Sequence, residues 1–340
     1  MEALRRAVNS SQSGAMRVSG AFLFVAASLA AAPAAAGPIL DRIRAEGVVR
    51  CGGVERPGLI EVTATGKAAG LELDLCRAIA TVALGSEGRL EFRRYDSEQA
   101  FAEARAGKDD VSFLTGREMI DNGLAGKLIA GPAAFIETMA VMTPADSPVQ
   151  HLDQLAGHPI CFSMVERAQV HLSDWFDARR LDFIHLGFQE DIEMNDAYAA
   201  HYCDALAGEA TTLAETRAAA EAAAPAKHRL LPETLASYPI MAATGVQDGE
   251  WAAIVAWTIH TLVQADTKGS RWALGGLDSL RVNAPELGLA AGWQKRLVDL
   301  IGSYGDLYER NLGDKSPLKL PRGANAPVAL GGALAAPYCE

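Results

Sequence analysis

Two successive runs of alternating strand-like and helix-like segments constrain the fold of this 340-residue chain more than any other feature of its sequence. The first run occupies residues 38–114, and the second begins with a β-rich segment at residues 135–143. Alternation of strands and helices predicts a mostly parallel, open α/β sheet. Because the pattern starts again, we expect two α/β halves, followed by a helical tail from residue 250 onward.

Hydrophobic spacing and turn residues set the individual boundaries. Strands are predicted at residues 48–51, 90–95, 111–114, 135–143, 159–163, 182–188 and 204–207. Helical segments are predicted at residues 38–45, 71–85, 152–155, 169–178, 192–200 and 212–223, and one more from the N-cap Ser97 to Gly107. Ligands of open α/β sheets bind beyond the carboxyl ends of strands. We therefore expect a cleft between the halves, formed by the loops at residues 55–65, 115–119, 163–167 and 208–211.

An uncharged segment at residues 18–36 precedes the first run. Arg5, Arg6 and Arg17 lie before it, an apolar stretch occupies residues 21–32, and three alanines end at Ala36. This order is typical of a signal peptide with cleavage after Ala36. A transmembrane anchor, the alternative, requires about 20 uninterrupted apolar residues. The sequence thus predicts an exported protein.

Export bears on the five cysteines, because an oxidising compartment favours disulfides over zinc sites or redox switches. No two cysteines form a C-x-x-C pair. Several pairings are compatible with the sequence. Cys51 and Cys76 flank one strand–helix unit, and Cys161 and Cys203 each adjoin a strand of the second half. We predict the bonds 51–76 and 161–203, with Cys339 left over.

Composition and motifs exclude several classes of function. Forty-two acidic against 31 basic residues give a net charge of −11, which argues against a nucleic-acid partner. The seven histidines lack metal-site spacing, and neither a serine nucleophile elbow nor a phosphate-binding loop occurs. An acid/base site remains an alternative if Glu118 beside Arg117 faces Glu166 beside Arg167 across the cleft. We expect no metal and no cofactor, and a binding protein rather than an enzyme.

Several segments resemble the periplasmic amino-acid-binding proteins of ABC transporters, the solute-binding protein family 3, and within it the general L-amino-acid-binding branch. The segments that carry the resemblance are residues 43–52 (IRAEGVVRCG), 70–80 (GLELDLCRAIA), 203–205 (CDA), 302–313 (GSYGDLYERNLG), 316–319 (SPLK) and 322–325 (RGAN). The likeness extends from about residue 39 to residue 337. Its C-terminal block is the most specific part.

The resemblance implies a type II two-lobed clamp whose two crossing strands, at residues 135–143 and 238–244, form the hinge. After the signal peptide at residues 1–36, it implies a periplasmic protein with a first lobe at residues 37–138 and 244–340 and a second lobe at residues 139–243. The four paired cysteines fall where that branch has its disulfides. It further implies a monomer that carries a small polar, amino-acid-like ligand to an inner-membrane ABC permease.

The expected ligand residues depart from the family pattern. Family members bind the α-carboxylate with an arginine after the strand that matches residues 111–114. A gapless count places Asn122 there, and Arg117 lies five residues earlier. A Gly-Thr-Thr turn of the family is replaced by Val-Glu-Arg at residues 165–167, and Glu209 replaces the aspartate that binds the α-amino group. A planar arginine provides two hydrogen bonds that asparagine cannot replace. An amino acid is still bound if Arg117 or Arg167 takes over that role, and it loses its main anchor if neither does.

The resemblance and its departures give a set of expected ligand-binding residues and three hypotheses for the function. The residues are Glu61, Thr115, Arg117, Ser163, Glu166, Arg167 and Glu209. The first hypothesis is a solute-binding protein of an ABC importer. A repurposed accessory periplasmic protein, with another ligand or a protein partner, is the second. A dehydratase-like enzyme on the clamp fold is the third.

Overall fold

The computed structural model describes residues 37–62, 67–86, 88–165, 167–223, 227–267 and 286–336. The predicted signal peptide with its cleavage after Ala36, the predicted ligand residue Glu166 and the remaining cysteine Cys339 lie outside the described residues.

Strands and helices alternate along most of the described chain. The strands are β1 (Val48–Gly53), β2 (Glu61–Val62), β3 (Ala68–Ala69), β4 (Arg89–Arg94), β5 (Val111–Thr115), β6 (Leu128–Ile129), β7 (Ala133–Pro144), β8 (Pro159–Ser163), β9 (Ile184–Phe188), β10 (Ala205–Glu209), β11 (His228–Leu230) and β12 (Ala236–Gly245). The α-helices are α1 (Pro38–Glu46), α2 (Leu71–Leu84), α3 (Glu98–Arg105), α4 (Gly116–Asp121), α5 (Ala168–Asp177), α6 (Asp191–Ala199), α7 (Ala210–Ala223), α8 (Gly249–Thr267), α9 (Trp293–Ile301) and α10 (Tyr304–Asn311). Short 3-10 helices occur at Leu152–Leu155, Gly323–Asn325 and Val328–Leu330.

A mixed sheet runs through the molecule with the strand order β4-β1-β5-β12-β7-β10-β8-β9. Strands β4, β1 and β5 are parallel to one another, and so are β10, β8 and β9. The two parallel groups are joined by β12 and β7, which pair antiparallel with each other and with their neighbours β5 and β10. The α/β clamp with two linking strands is therefore confirmed.

Helix α2 forms the centre of the first half because it is apolar around most of its circumference. All of its residues are buried except Arg77 and Leu84, which are half-buried. Helix α8 packs against α2, and α10 packs against both helices. The predicted disulfide Cys51–Cys76 is present and joins β1 to α2.

The second half is closed by the other predicted disulfide, Cys161–Cys203, which joins β8 to the segment before β10. The two bonds close loops of 25 and 42 residues. Closing loops of this size stabilises a protein by about 3 to 4 kcal/mol each. Each parallel strand group thus carries its own covalent constraint.

The chain after α8 packs along linking strand β7. The Tyr304 hydroxyl donates to the Ala134 carbonyl at 2.9 Å. The Asn325 amide accepts from the Ile136 N–H at 2.7 Å and donates to the Ile136 carbonyl at 2.8 Å. The predicted helical tail is thus confirmed, and it supports a strand that joins the two halves. No helix of the described chain is both long and apolar enough to cross a membrane.

Candidate functional site

A cavity of about 640 Å³ lies where the two halves meet. The first half contributes Arg56 and the segment around the start of α4, and the second half contributes the start of α5 and the end of β10. The linking strands contribute Met139, Tyr238 and Met241. The cavity therefore occupies the strand-end position that the sheet topology predicts for a ligand.

Four of the predicted ligand residues line this cavity, namely Thr115, Arg117, Arg167 and Glu209. Two others do not. Glu61 is exposed, and its carboxylate accepts from the Gly58 N–H at 2.6 Å. Ser163 is buried at the end of β8, and its hydroxyl accepts from the Val165 N–H at 3.4 Å. Ligand contact by Glu61 and Ser163 stays a prediction.

The two predicted arginines differ in how they are held. The Arg117 side chain is 62% exposed, and its Nε donates to the Asp121 carboxylate at 3.1 Å, one helical turn later. Arg167 occupies the N-cap position of α5 with a left-handed backbone at φ 61°. Its side chain is exposed and forms no ion pair with any described residue. Asn122, which also lines the cavity, donates its amide to the Glu118 carbonyl at 2.9 Å.

The pairing of the strands brings Glu209 to the cavity together with Met139 and Tyr238. The sequence analysis does not identify Met139 or Tyr238 as site residues. Strand β7 lies between β10 and β12, so Met139 pairs with Glu209 on one side and Glu137 pairs with Tyr238 on the other. Residues 137 and 139 point to the same face of the sheet, as do their direct partners. The Tyr238 hydroxyl accordingly donates a hydrogen bond to the Glu209 carboxylate. Burial and the charge of Glu209 raise the pKa of Tyr238 above its ordinary value, so the phenol stays a donor.

Arg56, in the loop after β1, is a further cavity residue that the sequence reading missed. It is 8% exposed and forms an ion pair with Glu118. The second oxygen of Glu118 accepts from the Thr115 N–H at 2.8 Å as part of a capping box at the start of α4. Arg56 is thus anchored to helix α4, which carries Arg117.

Glu72 lies beneath this pair, at the start of α2. Its carboxyl group is fully buried, and neither oxygen has a hydrogen-bond partner within the described residues. Burial is the main cause that raises the pKa of Glu72 to about 8. The positive charge of Arg56 lowers this pKa, and the negative charge of Glu118 raises it further. A Cβ atom on Gly53 would lie 2.7 Å from a Glu72 oxygen, so glycine at position 53 makes room for this carboxyl group.

Glu137 is a second buried carboxyl group near the cavity. It accepts from the Thr211 hydroxyl at 2.6 Å and from the Thr138 N–H at 2.9 Å. Burial, followed by the charge of Glu209, raises its pKa to about 7. Glu72 and Glu137 do not line the cavity, but burial raises the pKa of both carboxyl groups beside residues that do. Within the part of the chain that the structure describes, no three histidine, cysteine or acidic side chains lie together as metal ligands.

Sequence comparison finds several relatives of nearly the same length. No protein-family model matches the chain. It is 27% identical over 323 residues to the general L-amino acid-binding periplasmic protein AapJ of Rhizobium johnstonii, covering 90% of this chain and 94% of that protein. It is also 27% identical to the glutamate/glutamine/aspartate/asparagine-binding protein BztA of Rhodobacter capsulatus, covering 95% and 99%. The identity to the putative amino-acid ABC transporter-binding protein YhdW of Escherichia coli K12 is 25%, covering 86% and 89%.

Solved structures show the same fold. An ABC transporter periplasmic binding protein from Brucella ovis, with glutathione bound, superposes with a TM-score of 0.66 at 26% identity, covering 86% of this chain and 97% of that one. An ancestral cationic amino acid solute-binding protein superposes with a TM-score of 0.53 at 14% identity, covering 81% and 100%. The resemblance of this chain to the periplasmic amino-acid-binding proteins of ABC transporters is thereby confirmed along most of its length.

Proposed function

We propose that this protein is the periplasmic solute-binding component of an ABC importer and that it binds a small polar, amino-acid-like ligand between its two halves. One observation carries the proposal: Arg117 and Arg167 line the same cavity as Glu209. The arginines are suited to the ligand carboxylate, because a guanidinium group donates two parallel hydrogen bonds to it. Glu209 is suited to the ammonium group, and the Tyr238 hydroxyl holds its carboxylate in place.

The named relatives support this ligand chemistry. General L-amino acids, the acidic amino acids with their amides, and glutathione appear in the descriptions of the proteins that match the chain. Each of these molecules carries at least one ammonium and one carboxylate group. A cavity of about 640 Å³ lies within the usual range for small-molecule sites, about 300 to 1,000 Å³.

We propose lobe boundaries within the linking strands, with residues 37–138 and 244–340 in one lobe and residues 139–243 in the other. The chain then passes from one lobe to the other within strand β7 and returns within strand β12, and these two strands are paired. Bending within these strands closes the lobes on the ligand as a hinge motion.

The exported protein acts as a monomer that delivers its ligand to a membrane permease. The mature chain begins at Gly37, because the signal peptide is cleaved after Ala36. N-terminal sequencing of the exported protein tests this cleavage site.

Isothermal titration calorimetry with the twenty amino acids, small dicarboxylates and glutathione tests the proposal. We expect at least one of these compounds to bind. The Glu209→Gln substitution should lower its affinity by about 100-fold, because removing the carboxylate of a buried charge pair costs about 2 to 5 kcal/mol. Glu193→Gln is the matched control, since Glu193 is exposed on α6 of the same half and does not line the cavity.

Other results would favour the alternatives. Absence of binding by every compound, together with a protein captured specifically from periplasmic extract, would replace the importer role by that of an accessory protein. Turnover of a cyclic carboxylic acid that Glu209→Gln abolishes would point to an enzyme.

A further inference from the structure

Glu137 is a fully buried carboxyl group on linking strand β7, two residues before Met139, which lines the ligand cavity. Residues two apart on a strand point to the same face of the sheet. The direct partner of Met139 on β10 is Glu209, so Glu137 and Glu209 are diagonal neighbours on that face. Diagonal neighbours lie about 7 to 8 Å apart, within reach of long side chains. The two carboxyl groups are therefore close, one inside the protein and one at the cavity.

The Glu137 carboxyl group is surrounded by hydrogen-bond donors. The Thr211 hydroxyl donates to one oxygen at 2.6 Å, and the Thr138 N–H donates to the other at 2.9 Å. The Thr211 N–H is a further donor. These donors favour the ionised form, whereas burial and repulsion from Glu209 favour the neutral form. Because the donors are already in place, Glu137 can gain or lose its proton without moving.

Four elements bring titratable or charged groups toward Glu137 among the described residues. These groups are Glu209 of β10, Tyr238 of β12, Tyr308 of α10 and Arg322 of the chain after α10. Helix α7 contributes the uncharged Thr211, and β11 pairs only with residues 142–144 of β7. The Tyr238 hydroxyl donates to Glu209, and Arg322 forms an ion pair with Asp266 at 2.6 Å. Of these groups, Glu209 is the anion that acts on Glu137 and also lines the cavity.

A ligand ammonium group at Glu209 would change the charge that Glu137 experiences. The positive charge offsets the repulsion from Glu209 and adds an attraction of its own. Both effects favour the ionised form of Glu137. Because coupling between two binding events is reciprocal, the ionised form of Glu137 in turn binds the ammonium group more tightly than the neutral form does.

We propose that Glu137 is a positioning residue for the ligand ammonium group, which acts through Glu209 as a second carboxyl group and releases its proton to solvent when the ligand binds. This inference rests on the proposed function and deepens it. A cavity of about 300 Å³ adjoins Glu137 on the side of Arg322 and gives the proton a route to solvent. The affinity for the ligand then rises with pH. His171, which lines the ligand cavity, would give the opposite slope if its protonated form bound the ligand carboxylate.

Calorimetric titration in buffers with different heats of ionisation tests the proposal, because it counts the protons released per ligand. The probe is whichever of the amino acids other than histidine binds most tightly in the titration proposed above. We expect release of about 0.5 proton at pH 6.5 and an affinity that rises about five- to tenfold from pH 5.5 to pH 8, if binding lowers the pKa of Glu137 by about one unit.

Three variants separate this role from a structural one. Glu137→Gln should abolish both the proton release and the rise in affinity with pH. Thr211→Val removes one donor to the carboxylate but keeps the size of the side chain, so it should move the rise to higher pH. Glu233→Gln is the matched control, because Glu233 is a half-buried glutamate of the second half that lines neither cavity. It should leave both measurements unchanged.

Absence of proton release from the unmodified protein at pH 6.5 would overturn the proposal while leaving amino-acid binding intact. The same release from Glu137→Gln, or a loss of affinity in that variant that is equal at every pH, would overturn it as well. Failure of every amino acid to bind would overturn the proposed function itself. Thermal unfolding of each variant without ligand shows whether it is folded.

Discussion

Glu72 shows how a single residue couples the core of the first half to the cavity. Its carboxyl group is fully buried at the start of α2 and lies near Arg56 and Glu118. A buried carboxyl group without hydrogen-bond partners is most stable when protonated. The neutral form in turn leaves Glu118 as the carboxylate that is hydrogen-bonded to Arg56.

We predict that Glu72 makes the protein less stable as pH rises. Its pKa is raised from 4.5 to about 8, so between these values the folded state keeps a proton that the unfolded chain releases. The free energy of unfolding should therefore fall by about 1.4 kcal/mol per pH unit in this window because of Glu72. The full contribution is present below pH 4.5 and is lost once pH exceeds about 8.

Urea denaturation at several pH values measures this slope. Glu72→Gln should show a shallower decline than the unmodified protein between pH 5 and pH 8. Glu137→Gln is a useful comparison, because the pKa of Glu137 is raised to about 7. The pH range in which Glu137 lowers the free energy of unfolding should therefore end near pH 7, below that of Glu72. Identical slopes in the Glu72→Gln variant and the unmodified protein would contradict the assignment of a buried neutral carboxyl group.

At the scale of the residue, the sequence indicated part of the site. Glu209, Arg117 and Arg167 were expected from the resemblance and do line the cavity. Arg56 lies in a loop that was expected to face the cleft, but its inward orientation depends on Glu118, which is 62 residues away in the chain. Sequence periodicity carries no information about such a contact, so it could not distinguish Arg56 from a solvated loop arginine.

At the scale of the element, secondary structure followed local patterns closely where these were strong. The helix predicted at residues 71–85 is Leu71–Leu84, and Ser97 caps α3 by accepting from the Ala100 N–H. The strands β2, β3 and β6 have two residues each and were not predicted. An alternating pattern needs about four residues to be visible, and such short strands exist only because a partner lies beside them.

Linking strand β7 depends on the segment after α10 for part of its support. Asn325 is 4% exposed and forms hydrogen bonds with both backbone groups of Ile136. We predict that Asn325→Ala lowers the free energy of unfolding by about 2 kcal/mol, because two partly buried backbone groups of Ile136 lose their partner. Chemical denaturation measures the change. Gln189→Ala is the control, since Gln189 is exposed and an exposed substitution usually changes stability by less than about 0.5 kcal/mol.

A loss below about 1 kcal/mol in Asn325→Ala would show that the strand does not rely on this amide. A loss of the predicted size would support the view that the C-terminal segment belongs structurally to the hinge. The resemblance was strongest in this same part of the chain, residues 302–325, which fits a role in holding the linking strand.

At the scale of the whole molecule, the two-half organisation follows from the repeated alternation of strands and helices, and the sheet shows how the halves connect. Strands β12 and β7 join the parallel groups, and each group carries one disulfide. The fold class was predictable because burial patterns are local. The order β5-β12-β7-β10 was not, because it brings together strands that are far apart in the sequence.

The same organisation explains why the cavity combines residues from distant parts of the chain. Arg56 and Arg117 come from the first half, Arg167 and Glu209 from the second, and Tyr238 from a linking strand. A ligand that touches all of them stabilises the arrangement in which the halves approach each other. In the hinge motion that we propose, binding and closure are one event, and the charged groups of the ligand determine which compounds produce it.

A crystal structure of the protein grown with a saturating concentration of an amino acid that binds in calorimetry tests the central claim most directly. We predict that the amino acid lies in the cavity between the halves, with its ammonium group hydrogen-bonded to Glu209 and its α-carboxylate to Arg117 or Arg167. An amino acid bound outside this cavity, or bound within it without contact to Glu209 or without contact to either arginine, would contradict this prediction.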